Sequence, residues 1–487
     1  MKPSGPRRTS ARMTDSPKDT SAPLAYIESH LDDTLDRLFA LMRVQSVSTD
    51  PAYAPECLKA AQLLADELTA IGFDARVAPT PGHPMVVAHH DGPSPHILFY
   101  GHYDVQPVDP LNLWRRDPFD PVIETKADGA KIIVGRGASD DKGQLRTFIE
   151  ACRAWKETTG ALPCKITILF EGEEESGSVS LEPFLRANAA ELKADFALIC
   201  DTLMWDADTP GLTIGLRGMA AGEVTIKAAK RDLHSGLYGG AAANPIQLLA
   251  TILGEMKDAN GHVTLDGFYD GVDPASPDVR ASWDALGFDD GEFLGDVGLR
   301  VPAGEKGTDA LEQIWARPTA EVNGIWGGYT GEGFKTVIPA EAHAKISFRL
   351  VGRQDPDKVW AAFEKHVRDR LPADCEALFT SRGPGSPAVT VPSDSPPLAA
   401  TRDALDAEWG KAALIGCGGG IPVVTSIRTI LDMDTVLVGF ALADDNIHSP
   451  NEKYELKSFH KGMRSFVRIL ASLGDMAEAK TAQAAAA

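Results

Sequence analysis

Cysteine is scarce and scattered. Cys57, Cys152, Cys164, Cys200, Cys375 and Cys417 are far apart and none forms a C-x-x-C pair. That excludes a thiolate zinc clip or a disulfide framework and predicts reduced, mostly buried thiols in a cytoplasmic protein. Long apolar runs are missing as well. None approaches the ~18 residues of a membrane span, so no membrane partner is expected. Basic residues are in deficit, 48 against 69 acidic, for a formal charge of −21. Phosphate backbones need clustered Lys and Arg, which excludes nucleic acid as a partner. Residues 1–23 are rich in Ser, Thr, Pro and Arg but lack the apolar centre of a secretory signal. They are expected to be a disordered tail, and the Ala-rich residues 476–487 a frayed one.

What is present is a globular composition, 43% hydrophobic, over 487 residues. This is too long for one ordinary core, so at least two domains are expected. Apolar residues at helical spacing predict helices over Leu24–Val44 and Leu58–Ile71, the latter stopped by Gly72. Short apolar runs at Met85–Ala88, Ile97–Tyr100, Lys131–Gly135, Lys165–Phe170 and Phe196–Cys200 then alternate with helical patterns at Lys142–Glu157 and Val179–Ala190. Such alternation predicts an α/β fold, a mainly parallel sheet sandwiched by helices. The style changes near residue 216. A strand at Gly222–Ala229, a helix at Pro245–Lys257, a Gly- and Asp-rich stretch, a strand at Ala342–Val351 and a helix at Asp355–Leu371 suggest a separate α+β unit. A Pro- and Ser-rich linker, 381–397, leads back to the α/β style. The chain thus divides into an α/β domain over 24–215 and 391–475, interrupted by an inserted domain over 216–390.

Acidic and histidine residues recur where predicted strands end. His102 and Asp104 follow the strand Ile97–Tyr100 two residues apart. If the strand period carries through Gly101 they share a side, and the carboxylate can orient the imidazole. Asp140 lies between a strand and a helix, Glu173-Glu174-Glu175 follows Phe170, Asp201 follows Cys200, and His448 lies in a late polar loop. Taken singly, each is also what a polar turn, a helix cap or a solvated acidic face contains. Together, His102, Asp140, Glu175, Asp201 and His448 make an N/O donor set suited to two divalent ions. Zinc is favoured, with manganese or cobalt compatible, and a Glu beside the ligating one, with Glu174 adjacent to Glu175, can serve as general base toward metal-bound water.

The motifs resemble those of the co-catalytic zinc metallopeptidases that include carnosinase-type dipeptidases, glutamate carboxypeptidase, aminoacylase and succinyl-diaminopimelate desuccinylase. The dipeptidase branch is nearest. Gly101-His-Tyr-Asp-Val-Gln-Pro107, Gly135-Arg-Gly-Ala-Ser-Asp-Asp-Lys-Gly143, Asp232-Leu-His-Ser-Gly236, Trp326-Gly-Gly-Tyr-Thr-Gly-Glu-Gly333, Thr336-Val-Ile-Pro339 and His448-Ser-Pro-Asn-Glu452 carry the likeness. The resemblance implies that His102 and Asp201 hold one Zn2+, Glu175 and His448 the other, and Asp140 bridges them across a cis Asp140–Asp141 peptide. It implies Glu174 as base and Asp104 as orienter of His102. The inserted domain would be a lid that also forms a homodimer, His234 would polarise the scissile carbonyl of the neighbouring protomer's substrate, and Arg349 with Thr336 would bind the substrate carboxylate. The late Gly-rich loop of that branch usually reads Gly-Gly-Ser-Ile-Pro, whereas this chain has Gly420 before Ile421-Pro422. Backbone N–H groups at Gly420 remain to bind an anion. The expected activity is hydrolysis of dipeptides or short peptides. The alternatives are deacylation of N-acyl or N-succinyl amino acids on the same centre and, in another class, a peptide-binding protein without turnover.

Overall fold

The structure, a computed structural model, describes residues 18–383 and 385–486. Residues 1–17 of the expected tail lie outside the described residues. The Lys18 amide donates to the Asp475 carboxylate at 3.2 Å, and a helix begins at Ser21.

The central sheet has nine strands. Its middle is parallel, with Lys165–Glu171, His96–His102, Phe196–Ile199 and Thr435–Gly439 side by side. Antiparallel strands extend both flanks, Met85–His90 and Asp74–Ala78 on one, Gly211–Leu216 on the other. The middle strands are apolar runs rather than alternating ones because helices cover both faces. Residues Ile97 to His102 are all buried. Lys142–Thr159, Leu456–Ala486, Pro396–Trp409 and Ala54–Ala70 supply those helices. All four middle strands point the same way, so their carboxyl ends meet at one rim, where an α/β sheet gathers ligands.

Phe99 anchors the core beneath that rim. Its ring stacks on Phe148 at 3.6 Å and meets Phe170 and Phe466 edge-on. Phe99→Ala should therefore cost about 3–5 kcal/mol of unfolding free energy. Denaturant titration checks this through a lower midpoint at unchanged slope.

A second core lies under a four-stranded antiparallel sheet ordered Thr319–Gly327, Glu341–Leu350, Gly218–Lys227 and Glu376–Thr380. Strand Glu341–Leu350 alternates strictly. Ala342, Ala344, Ile346, Phe348 and Leu350 face helices Pro245–Gly254 and Pro356–Arg368, while Arg349 leaves from the open face.

Two local expectations differ from the structure, and one stretch without an expected element holds helices. Leu24–Val44 is two helices, Ser21–Ser29 and Leu31–Met42, not one. At the joint, Ser29 Oγ and His30 Nδ1 turn back on the carbonyls of Ala25 and Tyr26, competing with the helical ladder. Val179–Ala190 is likewise broken, into Leu181–Ala187 and Ala189–Leu192. The Gly- and Asp-rich stretch, 261–307, holds helices Pro277–Asp284 and Asp290–Gly295, and Ala310–Trp315 follows it. Ser276, Asp289 and Asp309 each cap a short helix, and Val279, Trp283 and Leu311 pack into the first core rather than the second. Trp283 Nε1 donates to Leu414 O at 3.0 Å.

Candidate metal centre

Strand geometry delivers the site. His102 is the last residue of its strand, and its Nδ1 lies 3.4 Å from Asp104 Oδ1. Asp104 does more than face the imidazole: its two oxygens accept the amides of Glu174 and Glu175 at 3.3 and 3.0 Å. That bond fixes the 3₁₀ turn Glu174–Ser176 over the end of the neighbouring strand. Asp201 lies two residues past Phe196–Ile199, and His448 follows Thr435–Gly439 by a loop. Asp140 comes from outside the sheet, just before helix Lys142–Thr159, and its peptide to Asp141 is cis.

The five side chains form two groups that share one member. Donor atoms of His102, Asp140 and Asp201 lie within 4.8 Å of one another, as do those of Asp140, Glu175 and His448. Asp140 Oδ1 is 3.0 Å from His102 Nε2, and its Oδ2 is 2.9 Å from His448 Nε2. Each oxygen therefore belongs to a different group. His448 Nε2 is also 3.1 Å from Glu175 Oε2, and His102 Nε2 is 4.0 Å from Asp201 Oδ2.

Charge is unbalanced here. Burial drives Asp201 well above the usual carboxylate range, with Asp140, Glu174 and Glu175 adding to the effect and His102 only partly opposing it. Burial also raises Glu174, which His102 offsets in part while Glu175, Asp104 and Asp140 reinforce it. Hydrogen bonds to Asp140 and Glu175 lift His448 to about 10. Burial pulls His102 down, but its bonds to Asp104 and Asp140 outweigh that and hold it well above normal. The carboxylates around them draw both imidazoles toward the protonated form. A divalent cation displaces such protons and satisfies the same oxygens, and the donor set, two imidazoles and three carboxylates without a thiolate, fits zinc.

The residues expected to bind substrate lie elsewhere. His234 and Thr336 are exposed and adjacent, joined by the bond from Ser235 N to Thr336 O at 3.1 Å. Arg349 is half-buried on the open face of the second sheet and Gly420 is exposed. Sequence reasoning passed over Arg217. Its Nε donates to Gly418 O at 3.0 Å, and burial, then the nearby Arg349 charge, lowers its guanidinium to about 10. Two cations therefore meet beside the Gly-rich loop. Gln106, two residues past Asp104, was also passed over; it donates to Glu175 Oε2 at 2.7 Å. Its place inside the Gly101–Pro107 motif was the available signal.

Among the described residues no helix is long and apolar enough to cross a membrane, and none of the six cysteines is in a disulfide.

Known proteins share this arrangement of chain. The "Cys-Gly metallodipeptidase dug1" of Schizosaccharomyces pombe is 30% identical over 460 residues, 90% of this chain and 95% of that protein. The human "Beta-Ala-His dipeptidase" is 29% identical over 93% of this chain and 92% of its own length. Among solved structures, human carnosine dipeptidase 1 superposes with a TM-score of 0.72 at 27% identity, covering 94% of this chain and 100% of that one. The metallo-carboxypeptidase Sso-CP2 of Sulfolobus solfataricus gives 0.74 at 30% identity, covering 91% and 100%. Residues 98–472 match the family described as peptidase family M20/M25/M40. The chain is a metallopeptidase-type enzyme and belongs to that family.

Proposed function

We propose that this enzyme hydrolyses the peptide bond of dipeptides or similarly short peptides, using two divalent ions, zinc in the first instance. His102 and Asp201 would hold one ion, Glu175 and His448 the other, and Asp140 both. The observation that carries this reading is Asp140 itself, whose two oxygens serve two different ligand groups. When bound, the ions would supply Lewis acidity and an acidified water. Glu174, its carboxyl raised by burial beside the ligands, takes a proton from the attacking water and passes it to the leaving amine. Asp104 holds His102 and the Glu174–Glu175 turn in place for this.

Arg349, with Thr336 and the Gly420 backbone, binds the substrate's terminal carboxylate, a task suited to a planar guanidinium. His234 polarises the scissile carbonyl across a homodimer formed through the inserted domain. Support for a dimer comes from the edge strand Thr319–Gly327, where Val322, Ile325 and Trp326 are 45%, 52% and 42% exposed along an unpaired edge. Cysteines without disulfides fit a reducing cytoplasm. The short substrate is supported by the dipeptidase names of the relatives aligned over nine-tenths of the chain.

The test is a panel of Cys-Gly, β-Ala-His and other dipeptides run beside N-acetyl and N-succinyl amino acids. Dipeptides should be cleaved, chelator should abolish turnover, and added zinc, manganese or cobalt should restore it. Turnover confined to N-acyl amino acids, or undiminished after thorough chelation, would overturn the proposal.

A further inference from the structure

Asp140 comes from outside the central sheet, and what positions it is a buried carboxylate. Glu452 is fully buried. Its Oε1 accepts the amides of Ser139 and Asp140 at 2.9 and 3.0 Å, and its Oε2 accepts the Gly137 amide and Arg136 Nη1, both at 2.8 Å. One carboxylate thus satisfies three successive-turn amides of the Asp140 loop and one guanidinium. Gly137 permits the turn, since at φ +79° a Cβ would also approach Val105 Cγ1 to 2.8 Å. Arg136, 1% exposed, carries the link onward: its Nη2 donates to Pro107 O at 3.0 Å, in the segment that follows His102 and Asp104.

Glu452 also ends the loop that carries His448. In that loop Asn446, His448 and Asn451 all have positive φ, a conformation that costs non-glycine residues energy and needs outside support. The support is local and polar. Lys453 Nζ bonds Asp445 Oδ1 at 2.6 Å, and Ser139 Oγ donates to Asp445 Oδ2 at 2.9 Å. The chain then joins Lys131–Val134 as an antiparallel strand, with Gly135 N donating to Glu452 O at 3.0 Å.

We propose that Glu452 is a positioning residue for the metal centre, a clamp that sets the His102, Asp140 and His448 segments in their binding geometry before any ion arrives. This rests on the metal-centre reading above. Glu452 touches none of the reacting atoms and acts through the Asp140 backbone.

Glu452→Gln keeps the shape but offers one acceptor oxygen and turns an NH2 toward amide donors. Zinc affinity, read by competition against a chromophoric chelator, should fall about 10–100-fold, the usual loss when a group orienting metal ligands is changed. The visible spectrum of the cobalt-loaded variant should differ from wild type, and kcat should fall with little change in KM. Glu305→Gln is the control. Glu305 is a buried carboxylate held by Arg317 and Tyr269 away from the centre, so that variant should lose stability but keep zinc affinity. Should Glu452→Gln fail to fold, hydrogen exchange on metal-free wild type decides: amides at 137, 139 and 140 should be protected without metal. Wild-type zinc affinity in folded Glu452→Gln, or exchange of those amides as fast as exposed loop until metal is added, would overturn the clamp while leaving the hydrolase reading intact. A wild-type chain that holds no metal would overturn both.

Discussion

Replacing Glu174 by Gln should lower kcat by about 10²–10⁴-fold, the range a positioned general base contributes. Metal content should stay at the wild-type level. The reason lies in where the side chain sits. Glu174 is outside both ligand groups, yet its amide is bonded to Asp104 and its carboxyl is raised by burial beside Glu175, Asp104 and Asp140. Gln keeps the size and the polarity but cannot accept a proton. Steady-state kinetics on a dipeptide, with elemental analysis of the same preparation, separates loss of the base from loss of the ions. A near-normal rate would remove Glu174 from the mechanism, and a loss of metal would make it a ligand instead.

The largest effect on metal content is expected at Asp140. Its Oδ1 faces His102 and its Oδ2 faces His448, so Asp140→Ala takes a donor from both groups at once. Asp201→Ala and Glu175→Ala each take a donor from only one. Asp140→Ala should therefore bind close to no zinc and hydrolyse nothing above background, while the other two variants retain one ion. Equilibrium dialysis followed by elemental analysis distinguishes the three. Equal stoichiometry in all three would mean that Asp140 does not bridge. The change should also remove one of the carboxylates that raise each imidazole, leaving Asp104 beside His102 and Glu175 beside His448. In the metal-free variant, both should titrate nearer their ordinary range than in metal-free wild type.

Much of this was legible in the sequence because strand chemistry is local. The run Ile97–Tyr100 announces a buried strand, and period two then puts His102 and Asp104 on one side, where the structure has them 3.4 Å apart. Glu175 and Asp201 were legible in the same way, each following an apolar run that pairs in parallel with the strand of His102. The Asp140 loop was legible as a motif but not as a geometry. Its position depends on Glu452, more than 300 residues away, and no local pattern announces that bond. Arg217 was hidden for a similar reason: between Leu216 and Gly218 it sits where the style of the chain changes, and only folding brings Gly418 and Arg349 to it. The helices in and just after the Gly- and Asp-rich stretch were missed although their caps were in view. Ser276-Pro, Asp289 before Glu292 and Asp309 before Glu312 are helix-start signals that composition masked.

The direct test of the centre is anomalous diffraction at the zinc edge from crystals of the zinc-loaded protein. Two peaks should flank Asp140, ~3.5–4 Å apart, one against His102 and Asp201 and one against Glu175 and His448. A single peak, or peaks away from these side chains, would contradict a two-ion site built on Asp140.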